Sequence, residues 1–277
     1  MQTQIHPTAI VDPLAELDTG VQVGPFAIIE SGAQVGSGCN IMARAHIMSS
    51  CRMGENNQVH PGVVLGNNPQ DKSFRAEISS FLEIGNDNIF REHACIHRAS
   101  TEGSSTKIGN RGFFMVNSHA AHDVVIGDDV IICNNTVLAG YVSVGDGAFI
   151  SGNVVVHQFT RIGALCMLGG SSAAGQDAPP FTTVIGRSQI RGLNNIGMKR
   201  AGIDGRTRVA IKQLYNKIFA CRGSLKDVLA LFAEPFGQVE LDLIRSFYLT
   251  QSKRGFMWPP VKSEARHDER LRPEKKT

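Results

Sequence analysis

An aliphatic side chain recurs every six residues from the start of this chain. The series runs Ile5, Val11, Leu17, Val23, Ile29, Val35, Ile41, Ile47, Met53, Val59 and Leu65. Four residues after each comes a small or short side chain, as at Ala9, Ala15, Ala27, Ala33, Cys39, Ala45 and Cys51. An α-helix repeats every 3.6 residues and a strand every 2, so a period of six fits neither as one extended element. It fits a parallel β-helix, in which each hexad supplies a short strand and a turn and about three hexads close one triangular coil. The aliphatic residue faces the interior of the prism, and the small residue lets the chain turn the corner.

The register breaks twice, and both breaks predict loops. The first is near 66–82, opening with Asn67-Asn68-Pro69-Gln70-Asp71; the second is a Ser/Thr/Gly-rich stretch near 101–107. From Ile108 the hexads run unbroken through Phe114, Ala120, Ile126, Ile132, Leu138, Val144, Ile150, Val156, Ile162, Leu168 and Ala174, and Pro179-Pro180 is expected to end them. Beyond the transition at Ile185-Gly186-Arg187 the apolar spacing becomes helical. It predicts helices over 207–221, over 225–232 with Ser224 as N-cap, and over 239–249. The expected organisation is a β-helix over 1–190, an α-helical cap over 191–258 and a disordered charged tail over 259–277, since ten of the last seventeen residues are charged.

Composition narrows the functional classes. A 6% aromatic content with 29 glycines suits a turn-rich repeat, and a net charge of +3 is too weak for a nucleic-acid face. No run of about 18 apolar residues is present to span a bilayer, and Met1–His6 carries no signal-peptide pattern. Among the six cysteines there is no CxxC pair, and Cys39, Cys51 and Cys166 fall in the small-residue slot. They are expected to be buried thiols of a cytoplasmic protein.

Against this background Asn117-Ser118-His119-Ala120-Ala121-His122-Asp123 stands out, because packing does not require two histidines and a carboxylate so close together. With about eighteen residues per coil, His122 is expected to stack with Gly140 and Gln158, and Ala121 with Ala139 and His157. His119, His122, Gly140, His157 and Gln158 then share one surface region. His122 suits a general base, with Asp123 as its orienting partner if the local turn allows. Gly140 leaves its N–H accessible for a developing oxyanion. No serine or cysteine has an evident activating partner, which favours direct transfer to an acceptor hydroxyl or amine over a covalent intermediate.

These motifs resemble the UDP-N-acetylglucosamine O-acyltransferases of lipid A biosynthesis, within the hexapeptide-repeat acyltransferases. The resemblance reaches about Gly255 and rests on His6-Pro7-Thr8-Ala9-Ile10-Val11, Pro69-Gln70-Asp71, Ile96-His97-Arg98, the His-x-x-His-Asp segment, Leu138-Ala139-Gly140, Val156-His157-Gln158-Phe159, and Gly192-Leu193-Asn194 with Lys199-Arg200. It implies a left-handed β-helix assembled as a homotrimer without cofactor or metal. It also implies transfer of a 3-hydroxyacyl chain from acyl carrier protein to the sugar 3-hydroxyl. His122, Asp123 and Gly140 would then be catalytic. Gln70, Asp71, His97, His119, His157, Gln158, Asn194 and Arg200 would bind substrate, and Gly170 would set the acyl length. Tyr141, Ile196, Ala201 and Ser73 depart from the family pattern, so the alternative is N-acylation of a 3-amino UDP-sugar. A further alternative is a zinc-dependent β-helix carbonic anhydrase using His119, His122 and His157. Gln70 and Asp71 could instead cap their own loop, and Lys199-Arg200 could be a solvated helix face.

Overall fold

The hexads build the three faces of a parallel β-helix in the computed structural model, which describes residues 2–260. A regular hexad gives a two-residue strand, such as Gln22–Val23, Ile28–Ile29 and Gln34–Val35, and successive strands pass to successive faces. Neighbouring residues of a strand point to opposite sides. Val23 and Val35 are therefore buried, and Gln22 and Gln34 are exposed. The buried series Val23, Ile29, Val35, Ile41 and Ile47 is the aliphatic ladder read from the repeat, and it belongs to a single long core.

The first face has eleven strands, from Gln4–Ile5 to Gln189–Leu193. The second has nine, from Ile10–Val11 to Ala173–Ala174, and the third eight, from Glu16–Leu17 to Arg161–Ile162. Most corners place one residue in the left-handed region. Asn117, Asp129, Asn135 and Asn153, with φ near +57°, accept it readily because short polar side chains tolerate that conformation.

Register carries the functional geometry. Gln4 pairs with Gln22, eighteen residues on. Across the first loop Gln58 pairs with Ile89, and across the second Cys95 pairs with His119. From Lys107, which pairs with Val125, the eighteen-residue coil returns. The loops are shorter than the broken repeat suggested. The strands Val64–Asn67 and Phe81–Ile84 leave residues 68–80 outside the ladder, and Ser105–Ile108 is already a strand because it pairs with Phe81–Ile84.

The double proline does not end the ladder. Strand Thr182–Ile185 pairs in parallel with Met167–Leu168, and Gln189–Leu193 folds back on it antiparallel. The helical region follows as α1 (Asn195–Arg200), α2 (Gly205–Ala220), α3 (Leu225–Ala230) and α4 (Val239–Leu249). Ser224 caps α3 and the span of α4 matches its apolar spacing. The six-residue α1 is too short to register as a periodicity. The helices share a second core around Tyr215, Phe232 and Tyr248, and the Tyr215 hydroxyl donates to the Pro180 carbonyl at 2.6 Å. Phe256 and Trp258 return to bridge Asp177 and Gln189 of the β-helix; their side chains pack in the second core, and Met257 between them joins the core of the prism.

Cys39, Cys51 and Cys166 are buried, and burial pushes the thiols of Cys51 and Cys166 up to about 12. No described helix is long and apolar enough to cross a membrane. Of the charged tail, residues 261–277 lie outside the described residues.

Candidate active site

His122 lies at the corner between the second and third faces, after strand His119–Ala120 and before Val125–Ile126. The unbroken register from Ile108 stacks it on Gly140: an ideal Cβ on that glycine would fall 2.7 Å from Cε1 of the imidazole and 2.8 Å from Nε2. Asp123 has φ +59°, the left-handed turn that brings its carboxylate back to the preceding side chain. Its Oδ2 accepts from His122 Nδ1 at 2.7 Å, and both side chains are largely enclosed, at 16% and 9% exposed. A carboxylate on Nδ1 fixes the tautomer, so Nε2 keeps the lone pair a general base needs.

The carboxylate is held from several sides. Ser100 donates to Oδ2 through its N–H at 3.0 Å and its hydroxyl at 2.6 Å, and Ser104 reaches Oδ1 at 3.4 Å. The Asp123 N–H is bound by Thr106 Oγ1 at 2.8 Å. Because the Ser100 proton points at Asp123, the Tyr141 hydroxyl, 3.0 Å away, is the donor to Ser100 Oγ. Tyr141 in turn stacks on Phe159, centroids 4.7 Å apart, one coil further along. The unusual residue beside Gly140 thus closes a chain of Tyr141, Ser100, Asp123 and His122. Ser100→Ala removes one donor of four to Asp123 and is expected to lower kcat about fivefold with little change in KM, the equivalent of roughly 1 kcal/mol. Steady-state kinetics on the purified variant checks this, and an unchanged kcat would mean the other donors hold Asp123 unaided.

Among the described residues the Gly140 backbone N–H has no hydrogen-bond acceptor, although Tyr141 donates to the His122 carbonyl and Phe159 to the Gly140 carbonyl on either side. It is therefore free for a ligand oxyanion.

The expected substrate residues divide into three groups. His97 and His119 lie together with ring centroids 5.0 Å apart, and His97 is close enough to His122 to feel its charge. Burial pushes His119 down to about 4, with the neighbouring His97 adding to the effect. Burial also lowers His97, whose Nδ1 is held by the Asn68 carbonyl. Both imidazoles are neutral at pH 7. Asp71 accepts the N–H and hydroxyl of Ser73, both at 2.8 Å. These bonds hold its carboxyl below the usual range, and the nearby His122 adds to the lowering. Asp71 caps its loop within electrostatic reach of His122, and Gln70 precedes it on the exposed loop.

His157 and Gln158 lie one coil beyond Gly140, where His157 Nδ1 bonds the Gln158 carbonyl at 3.1 Å. Asn194 and Arg200 are elsewhere. They line a cavity of about 740 Å³ on the first face with Asp129, Phe149, Leu165 and Ile196. There Asn194 caps α1, accepting from Gly197 N–H at 2.9 Å and donating to the Leu165 carbonyl at 2.8 Å. Gly170 sits at the corner that precedes the second face, with nothing nearer its open side than the Gly152 carbonyl at 3.7 Å. Ser100, twenty-three residues before Asp123, was invisible to an eighteen-residue count because the second loop lengthens its coil, whereas Ser104 and Thr106, nineteen and seventeen residues before it, lie within reach of that count.

An imidazole held by a carboxylate beside a free backbone amide thus sits on a hexapeptide β-helix. The chain is 41% identical over 256 residues to an acyl-[acyl-carrier-protein]–UDP-N-acetylglucosamine O-acyltransferase of Syntrophobacter fumaroxidans, covering 91% of this chain and 98% of that one. The chain belongs to the UDP-N-acetylglucosamine O-acyltransferase family. The same enzyme of Thermodesulfovibrio yellowstonii is 39% identical over 254 residues, covering 91% and 98%. Residues 177–257 match the model described as UDP N-acetylglucosamine O-acyltransferase, domain 2, and residues 32–67 match the bacterial transferase hexapeptide. The family's solved structures superpose along most of this chain. The acyltransferase of Moraxella catarrhalis does so with a TM-score of 0.87 at 33% identity over 91% of this chain and 99% of that one. That of Campylobacter jejuni gives 0.86 at 31% over 93% and 100%. The fold is thus the family's left-handed parallel β-helix.

Proposed function

We propose that this protein transfers a 3-hydroxyacyl chain from acyl carrier protein to the 3-hydroxyl of UDP-N-acetylglucosamine, the first step of lipid A biosynthesis. The observation that carries the mechanism is the His122 Nδ1–Asp123 bond, which leaves Nε2 free beside the unpaired Gly140 amide. His122 Nε2 takes the proton of the sugar hydroxyl as its oxygen attacks the thioester carbonyl. The Gly140 N–H donates to the resulting oxyanion. When the tetrahedral intermediate collapses, the carbon–sulfur bond breaks, and the imidazolium returns its proton to the departing thiolate of the carrier. Asp123 stays ionised throughout and stabilises the transient imidazolium.

Gln70, Asp71, His97, His119, His157 and Gln158 surround the acceptor sugar and diphosphate in this reading. Asn194 and Arg200 hold the nucleotide, Arg200 by pairing with phosphate oxygen. They line the first face, while His122 stands at the far edge of the third. This division supports a homotrimer in which one copy supplies the His122 corner and its neighbour the α1 cavity. The acyl chain has an apolar track on the second face. Outward from His119 the paired column continues through Val137, Val155 and Ala173. Val137 and Val155 are 40% and 52% exposed, and the track ends level with Gly170. Burying a chain there against a second copy stabilises it by about 0.8 kcal/mol per methylene. Cytoplasmic location agrees with buried, unpaired thiols and an acyl-carrier donor.

The test offers the purified protein a panel of 3-hydroxyacyl carrier proteins with UDP-N-acetylglucosamine and its 3-amino analogue, products being read by mass. Ester on the hydroxyl sugar is expected, with one preferred chain length that shortens in Gly170→Met. Amide product alone would move the function to an amino-sugar acyltransferase, and no product from either sugar would overturn the reading.

A further inference from the structure

The first loop and the second combine to place a thiol in the acceptor region. Cys95 and His119 are paired residues on adjacent strands of the second face, and His97 follows two residues after Cys95 on the same strand. Cys95 Sγ lies 3.5 Å from His97 Nε2. One donor atom from each of the three residues lies within 4.8 Å of the other two. A tetrahedral zinc with bonds of about 2.3 Å to sulfur and 2.0–2.1 Å to nitrogen sets its ligand atoms roughly 3.3–3.6 Å apart. One pair already has that spacing, and the rest are within about 1.5 Å of it, a distance that side-chain rotation covers.

We propose that Cys95, His97 and His119 form a binding site for a borderline-soft divalent cation, zinc above all, and that its occupancy blocks the acceptor sugar. Two further features favour a metal over a chance cluster. His97 directs Nδ1 to the Asn68 carbonyl, so its Nε2 faces the thiol with the lone pair exposed. A backbone carbonyl on the remote nitrogen is the usual outer partner of a metal-bound imidazole. The sheet holds the frame: Cys95 pairs with His119 in a parallel ladder, and His97 pairs with Asn67 just past a bulge between Leu65 and Asn67. A thiolate with two imidazoles selects zinc, cobalt(II) or copper over magnesium or calcium. Three protein ligands leave a fourth coordination position open.

Blocking follows from position. His97 and His119 are the side chains assigned above to the acceptor, so this half of the inference rests on the proposed function; metal binding itself does not. Zinc would then act as a reversible inhibitor competing with the sugar nucleotide and not with the acyl donor. The thiol proton is released to solvent when the metal binds.

The experiment titrates cobalt(II) into chelator-treated full-length protein and follows the near-ultraviolet thiolate-to-cobalt band, then displaces cobalt with zinc. One equivalent per chain is expected. Cys95→Ala should lose the band and bind zinc at least about 100-fold more weakly. Cys95→Ser provides a second variant in case alanine disturbs the coil. In chelator the Cys95→Ala enzyme should transfer acyl chains at the wild-type rate, whereas zinc should raise the apparent KM for UDP-N-acetylglucosamine in the wild type alone. Equal metal binding by wild type and both variants, or none by the wild type, would reduce the cluster to a thiol–imidazole hydrogen bond and overturn the site. A wild-type protein that binds zinc through Cys95 but is inhibited without competition against the sugar nucleotide would overturn the blocking role. Because the cobalt band needs no turnover, a protein inactive toward both sugars would still report on the site.

Discussion

Replacing His122 by alanine is expected to lower kcat by about 10²–10⁴-fold, the range that a positioned general base contributes. The melting temperature should stay close to that of the unmodified protein. The ring lies at a corner outside the aliphatic ladder, so its removal leaves the prism core intact. Asp123 keeps its bonds from Ser100 and Ser104, so the loss of Nδ1–H does not leave the carboxylate without donors. The expected loss falls on kcat, because the imidazole is required when the hydroxyl proton moves and contributes little to holding the sugar beforehand. Residual transfer from the free Gly140 amide and from binding alone should remain. Steady-state kinetics with thermal unfolding of the same sample checks both halves. Full activity in a folded His122→Ala protein would remove the base from the mechanism.

The reach of the sequence in this protein is set by register. Between Ile108 and Ala174 no residue interrupts the hexads, so positions eighteen apart could be stacked by counting, and the His122–Gly140 contact follows from that count. Burial of the ladder follows equally, because one residue in six must face the interior of a prism. Across the two loops the arithmetic fails: Cys95 meets His119 and Ser100 meets Asp123 only because the excursion near residue 101 lengthens the coil to twenty-four residues. Nothing in composition gives the length of chain a loop takes out of the ladder. The His122–Asp123 bond was open for a different reason. Side chains adjacent in sequence meet only in a special backbone conformation, here the left-handed φ of Asp123. The divided position of Asn194 and Arg200 could not be read from motif order, since order along the chain says nothing about which face of the prism a cavity occupies.

Gly140→Ala is expected to lower kcat by about 10–100-fold, although it deletes no functional group. Alanine keeps the backbone N–H that serves the oxyanion, and Gly140 has no positive φ, so the new methyl group brings no backbone strain. The difficulty is space. The added Cβ would stand 2.7 Å from Cε1 and 2.8 Å from Nε2 of His122, closer than two such atoms can approach. The ring cannot swing aside freely, because Nδ1 is bound to Asp123 at 2.7 Å and Tyr141 packs edge-on against it with centroids 5.3 Å apart. It must therefore either tilt, which moves Nε2 by a fraction of an ångström, or lengthen its bond to Asp123. A displacement approaching 1 Å at a reacting group is worth about 10²-fold. If the methyl acts by moving the base, the double variant His122→Ala/Gly140→Ala should be no slower than His122→Ala alone, since there is then no ring left to displace. A double variant that is slower by the full Gly140→Ala factor would place the loss on the oxyanion donor instead, and a Gly140→Ala enzyme with wild-type kcat would show that the corner yields. The glycine is thus required for the side chain it lacks as well as for its amide, and the stacking that makes it so is the eighteen-residue coil itself.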